Sequence, residues 1–266
     1  MASRSHPGRV PGWAGVAWAL DLDGVVWLAE TPIPGSAEAV ARLGRAGVRV
    51  VFITNNSSMT VEQYVAKLAR FGIEAAVQDV LTSAQAAAQL LEPGTTALVC
   101  AGAGVVEALE VRGVRAVRQG RADAVVVGWH RDFDFDRLAA ATSAVRAGAR
   151  LVGTNDDPTY PAPEGQLPGA GAILAAVSCA SGVTPVVAGK PNAPMVELIR
   201  TRVGSVEVMV GDRPSTDGLL ARRLGARFAL VLTGVIDAAG AASLEPPPDE
   251  VVADLAALVA AYQGDV

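Results

Sequence analysis

The chain has 266 residues, 51% of them hydrophobic and 18% charged, with a formal net charge of −5. That length suits one large α/β domain or two modest ones, and the composition favours a buried core and excludes a disordered chain. The acidic balance, without a basic run, excludes a nucleic-acid polymer as partner, and no stretch approaches the ~20 unbroken apolar residues of a membrane span. The N-terminal segment MASRSHPGRVPGWAG carries arginines, but the apolar run after it breaks at Asp21. It reads as a frayed tail and not as a signal peptide.

Short β-branched runs then alternate with longer alanine-rich helical patterns. A strand at 16–20 leads to a helix at 36–45, and a strand at 48–53 leads to a helix at 61–71. Thr60 with Gln63 forms a capping box at the start of that second helix. A helix at 83–91 precedes a strand at 96–100, and a strand at 124–127 precedes a helix at 136–147. The pattern continues with strand 150–153, helix 170–180, strand 184–188, helix 193–203, strand 206–210, helix 217–224 and strand 228–232. Continuously apolar strands separated by helices predict an α/β fold with a parallel sheet covered on both faces.

Cys100 and Cys179 lie far apart in apolar stretches without metal-ligand spacing. They read as buried, reduced thiols of a cytoplasmic protein. His130 reads as a solvated or internally satisfied side chain, and Phe133 and Phe135 as core packing.

In parallel sheets ligands bind outside the carboxyl ends of the strands. Those ends carry Asp21 and Asp23 (DLDGVVW), Thr54, Asn55 and Asn56 (FITNNSS), Lys190 (GKPN), and Asp212 and Asp217 (GDRPSTDG). A similar polar stretch, Thr154-Asn155-Asp156-Asp157, follows strand 150–153. Singly, each is a cap, a turn or a surface charge. The pair Asp21/Asp23 leaves two readings open: an incidental solvent-exposed pair, or two carboxylates with a cation between them.

Taken in order, these motifs resemble the haloacid dehalogenase superfamily. Asp23 and Thr54 are 31 residues apart, which leaves no room for an inserted unit, whereas Thr54 and Lys190 are 136 apart. The chain is therefore similar to the branch with a large α/β cap, which contains 4-nitrophenylphosphatase-like enzymes. The resemblance implies a Rossmann-like core at 1–80 and 186–266, with an α/β cap at 81–185.

It further implies a Mg²⁺-dependent phosphatase of small phosphorylated metabolites. Asp21 is then the nucleophile that forms an aspartyl-phosphate, and Asp23 the general acid and later base. Mg²⁺ falls to Asp21, the backbone carbonyl of Asp23, and Asp212, with Asp217 orienting its waters. Thr54 and the N–H groups of Asn55 and Asn56 hold phosphate oxygens, Lys190 offsets charge, and Tyr160 contacts substrate from the loop 157–161. An acid at Asp23 separates this pattern from dehalogenase-type members and from pump-type ATPases. Two alternatives stay open: transfer to an alcohol acceptor, and a non-catalytic regulatory module. Pairing of two copies through the cap is a further expectation of the resemblance. Ser215, Gly218 and the stiffening Pro214 depart from the usual fourth motif and put that loop's geometry in question.

Overall fold

The computed structural model describes residues 16–162 and 165–263. The expectation of a frayed N-terminal tail lies outside them. In chain order the strands are β1 (Ala17–Asp21), the hairpin β2 (Trp27–Leu28) and β3 (Thr31–Pro32), β4 (Arg49–Thr54) and β5 (Val80–Thr82). Next come β6 (Thr96–Cys100), β7 (Arg115–Val117), β8 (Ala124–Val127), β9 (Arg150–Gly153), the hairpin β10 (Thr159–Ala162) and β11 (Gly165–Pro168), and β12 (Val186–Val187). The chain closes with β13 (Val208–Gly211), β14 (Arg227–Val231) and β15 (Glu250–Val252).

Two parallel sheets result. The first runs β15-β14-β13-β1-β4-β5 and the second β12-β9-β8-β6-β7. Both are α/β layers, as the strand pattern predicts. In the first sheet, strand order reverses where β1 lies between β4 and β13, a switch point that opens a crevice at the carboxyl ends. Register sets what meets there: Leu20 pairs with Val210, Asp21 with Ile53, and Thr54 with Thr82. Asp21, Thr54 and Asp212 therefore emerge along one edge.

Alternation along the strands builds a core on each face. Trp18, Leu20, Phe52, Val208 and Val210 fill one side, while Ala19, Val51, Ile53 and Met209 fill the other. The second of these cores continues without a break into Ala97, Val99, Val126 and Val152 of the other sheet. The two sheets thus share one apolar layer through the helices Ser83–Ala88 and Ala193–Arg202.

The expected capping box is present: Thr60 Oγ1 accepts from Gln63 N at 3.2 Å while Thr60 N donates to Gln63 Oε1 at 2.9 Å. The structure adds the helix Ala103–Val111, which begins after Gly102 and carries Gly104 in its first turn. A Cβ at either would stand 2.7 or 2.1 Å from the Ser58 or Met59 carbonyl oxygen, so close packing of the two units requires both glycines. Strands β5, β7 and β15 have three residues each, too few to show a period.

Two expectations are corrected. Cys179 is exposed, because Ala170, Ile173, Leu174 and Val177 form the buried face of its helix and 179 falls off that stripe. Phe135 is 79% exposed, since it opens its helix directly after the Asp134 cap and points away from the buried Ala141, Ala144 and Val145. Phe133 does pack against the second sheet's core, edge-on to His130. Among the described residues no helix is long and apolar enough to cross a membrane.

Where the helices Val61–Arg70 and Ala103–Val111 meet, Glu107 Oε2 accepts from Val61 N at 2.8 Å. Burial and a hydrogen bond with Glu62 push Glu107 up to about 7, while the same bond lowers Glu62. The raised folded-state value means that stability present at acid pH is lost as pH rises through about 7. Glu107→Gln keeps a donor and removes the titration. Its melting temperature should fall less than that of the wild type between about pH 5 and pH 8; equal slopes in a thermal-melt series would count against the shared proton.

Candidate active site

Asp21 closes β1, Asp212 follows β13, and Asp217 sits in the single π-helical turn Pro214–Gly218 beneath them. One carboxylate oxygen from each lies within 4.8 Å of the others. Lys190 enters between two of them, its Nζ 2.7 Å from Asp21 Oδ1 and 2.7 Å from Asp217 Oδ1. The lysine is 1% exposed and Asp217 fully buried, so this is an interior ion cluster and not a surface bridge.

Its electrostatics are lopsided. Burial, followed by Asp217 and Asp212, raises the Asp21 pKa well above the ordinary value, and Lys190 only partly opposes this. Burial and Asp217 likewise raise Asp212 to about 6. For Lys190 burial alone would lower the pKa, but Asp21 and Asp217 outweigh it and hold the ammonium above the usual lysine range. One ammonium cannot offset three carboxylates. The cluster is short of positive charge. Asp21 is buried and not solvent-exposed, and the cation beside it, Lys190, pairs with Asp21 and Asp217 and not with Asp23.

The donor set fits a hard divalent ion. Asp21 Oδ1 takes Leu22 N at 2.8 Å as well as Lys190, and Asp212 Oδ2 takes Val235 N at 3.0 Å. These bonds orient two carboxylates and leave an oxygen on each for a cation that prefers oxygen ligands. Asp217 has both oxygens engaged, by Lys190 Nζ and by Arg213 N at 3.1 Å, which suits support of the cluster more than direct ligation. Gly24 and Gly234 make room: a Cβ there would meet Asp212 atoms at 2.6 and 1.9 Å.

Asp23 stands apart from this cluster. Its Oδ1 accepts from Trp27 Nε1 at 3.1 Å, and its pKa is raised by burial, against the lowering effects of Lys67 and that indole. Thr54 is buried, with Oγ1 accepting from Asn56 N at 3.0 Å, so that N–H turns into the loop. Asn56 Oδ1 in turn accepts from Ser58 N and Ser58 Oγ. His130 is buried and not solvated, its Nδ1 2.9 Å from Gly128 O and its Nε2 without a hydrogen-bond partner among the described residues, and it does not line the cavity.

A cavity of about 390 Å³ connects Asp21, Asp23, Thr54, Lys190 and Asp212 to a roof from the second unit. There Trp129 and Tyr160 lie with ring centroids 5.0 Å apart, and Trp129 Nε1 donates to Pro168 O at 3.0 Å. Tyr160 was expected near substrate; Trp129, Gln166 and Arg213 were not, although all line the same space. Trp129 follows β8 as Lys190 follows β12, so the strand-end rule applied to the second sheet would have found it.

The geometry agrees with the comparisons. Residues 18–115 match the model of haloacid dehalogenase-like hydrolases, and residues 187–258 match a HAD-hydrolase-like model. An acid sugar phosphatase of Staphylococcus saprophyticus is 33% identical over 249 residues, 90% of this chain and 95% of that protein. The chain belongs to the haloacid dehalogenase-like hydrolase family. Within the family, a D-glycerol 3-phosphate phosphatase of Mycobacterium tuberculosis is 39% identical over 234 residues, 85% of this chain and 65% of the relative. This chain thus spans under two thirds of that relative's length. The crystal structure of a Mycobacterium tuberculosis glycerol phosphate phosphatase in complex with magnesium superposes with a TM-score of 0.83 at 36% identity. That match covers 91% of this chain and 75% of the other.

Proposed function

We propose that this hydrolase is a Mg²⁺-dependent phosphatase that cleaves small phosphomonoesters through an aspartyl-phosphate on Asp21. The observation that carries the reading is Lys190, buried between Asp21 and Asp217 at 2.7 Å from each, at the floor of an open cavity. The relatives' names, a glycerol phosphate and a sugar phosphatase, support the substrate class.

Asp21 and Asp212 would hold the ion, which would supply positive charge to the phosphate oxygens. An Asp21 carboxylate oxygen attacks phosphorus, with Leu22 N and Lys190 fixing the orientation of the group through Oδ1. The P–O bond to the leaving group breaks as the Asp21 oxygen–phosphorus bond forms. Asp23, whose burial favours the protonated form, gives a proton to the departing alkoxide. As a carboxylate it then takes a proton from water, whose oxygen attacks phosphorus, releasing phosphate and free Asp21. Trp27 holds Asp23 in position for both transfers, and Lys190 offsets charge on Asp21 and on the transferring group.

The residues 81–185, bounded by β5 and β12, act in this reading as a cap whose aromatic pair faces the leaving group. Trp129→Ala should raise KM roughly tenfold with kcat held within about threefold, the size of one aromatic contact. Steady-state kinetics on a polyol phosphate and an aryl phosphate would test it; an unchanged KM for both would remove Trp129 from the substrate surface. The reaction itself is tested by phosphate release from a panel of phosphomonoesters in Mg²⁺ and in EDTA. Release with Mg²⁺ and none with EDTA is expected, and EDTA-resistant release would overturn the metal-dependent mechanism.

A further inference from the structure

Asn55 has a place in the site that a phosphate-loop residue does not require. Its Oδ1 accepts from Lys190 N at 2.7 Å and its Nδ2 donates to Lys190 O at 3.2 Å. The carboxamide therefore reads both main-chain groups of one residue across 135 positions of sequence. The remaining Nδ2 hydrogen goes to Asp157 Oδ2 at 3.1 Å, on the loop that follows β9 in the second unit. Asn55's own carbonyl accepts from Asn155 Nδ2 at 2.7 Å and from Ser83 Oγ. Asp157 also faces Arg213 Nη1 at 3.6 Å, and Gly189 is flush against Asn55, where a Cβ would meet Oδ1 at 2.5 Å. All of this carboxamide's donors are used, and the residue is buried.

We propose that Asn55 is the positioning residue for Lys190, clamping its main chain and gripping Asp157, so that the ammonium meets Asp21 only when the second unit is seated on the core. The chemistry of the side chain makes the case. A carboxamide alone offers an acceptor and two donors in one plane, matching an N–H, a C=O and a carboxylate. Asn55→Asp keeps the shape and turns one edge into a repulsion against Lys190 O and Asp157. Because Asn55 also bonds Asp157, loss of the second unit from its seat would free one arm of the clamp. The inference rests on the function proposed for Lys190 but not on its substrate.

The test is a kinetic double-mutant cycle with a crystallographic arm. Asn55→Ala should lower kcat by about 30-fold and Asn55→Asp by at least as much, with KM within about threefold. Asp157→Ala should lower kcat about fivefold alone and add less than about twofold in the Asn55→Ala background, since both act on one link. In crystals of Asn55→Ala, Lys190 Nζ should lie beyond about 4 Å from Asp21 while its pair with Asp217 persists. Additive effects, or an unmoved Lys190, overturn the proposal. If wild type cleaves no ester in the panel, the phosphatase reading fails while the crystal arm still decides the clamp. If Asn55→Ala does not accumulate folded, Asn55→Ser and Asp157→Ala carry the same two measurements.

Discussion

Asp21→Asn should abolish turnover and leave the protein at least as stable as before. The substitution preserves shape but removes the attacking oxygen, so kcat is expected to fall on the order of 10⁴-fold or more, about 5.5 kcal/mol of transition-state stabilisation. Stability should move the other way. Burial, Asp217 and Asp212 raise the Asp21 pKa well above its ordinary value, so folding at neutral pH forces a charge into a site that disfavours it. The sign follows from linkage: stability present at acid pH is lost as pH rises through the raised value, and the amide has no such loss. In EDTA the variant should melt a few degrees above wild type, and added Mg²⁺ should narrow or reverse that gap by binding the wild type more tightly. Phosphate-release kinetics beside thermal melts with and without Mg²⁺ decide both halves. Activity within tenfold of wild type would remove Asp21 as nucleophile, and a lower melting point in EDTA would mean that its ion pair with Lys190 outweighs its burial.

Lys190→Met should cost both stability and rate. Removing the ammonium leaves Asp21 and Asp217 buried without their shared counter-charge, and breaking a buried pair from one side costs about 3–5 kcal/mol. For a chain of this size that corresponds to a melting temperature lower by roughly 10 °C. Loss of a charge aimed at the transferring group should lower kcat by about 10²–10³-fold. Mg²⁺ should restore part of the melting temperature, because a cation among the carboxylates supplies some of the missing charge, but little of the rate. Lys190→Arg is expected to rescue neither. The guanidinium is larger and planar, and the position is 1% exposed with Asn55 closed over its backbone. A melting point within about 2 °C of wild type for Lys190→Met would show that the cluster relaxes by protonating its acids instead.

Much of the site was legible without a structure, for a local reason. β-Branched runs such as those ending at Leu20, Ile53 and Val210 announce strands by themselves, and the polar residues just beyond them must lie along one edge once the strands pair in parallel. Asp21, Thr54 and Asp212 could be marked on that basis, and Lys190 by the order of the motifs. Thr60 with Gln63 was equally readable, because a capping box closes within four residues.

What only the tertiary structure decided is what depends on distant pieces meeting. The resemblance implied a backbone contact from Asn55 to phosphate; what the fold adds is the engagement of its side chain with Lys190 and Asp157. Trp129, just past β8, could be marked by the same strand-end rule, but only the fold sets it beside Tyr160 of the β10–β11 hairpin. Cys179 looked like core because it lies in an apolar stretch, and Phe135 because it makes a stripe with Phe133, yet helical phase and a capped first turn turned both outward. The sequence by itself determined the α/β class, the strand ends and the chemical identity of the charged groups, since period and propensity act over a few residues. Only tertiary packing decided which oxygen faces which nitrogen, because hydrogen bonds spanning 135 residues are chosen by the geometry of the closed fold and not by neighbours along the chain.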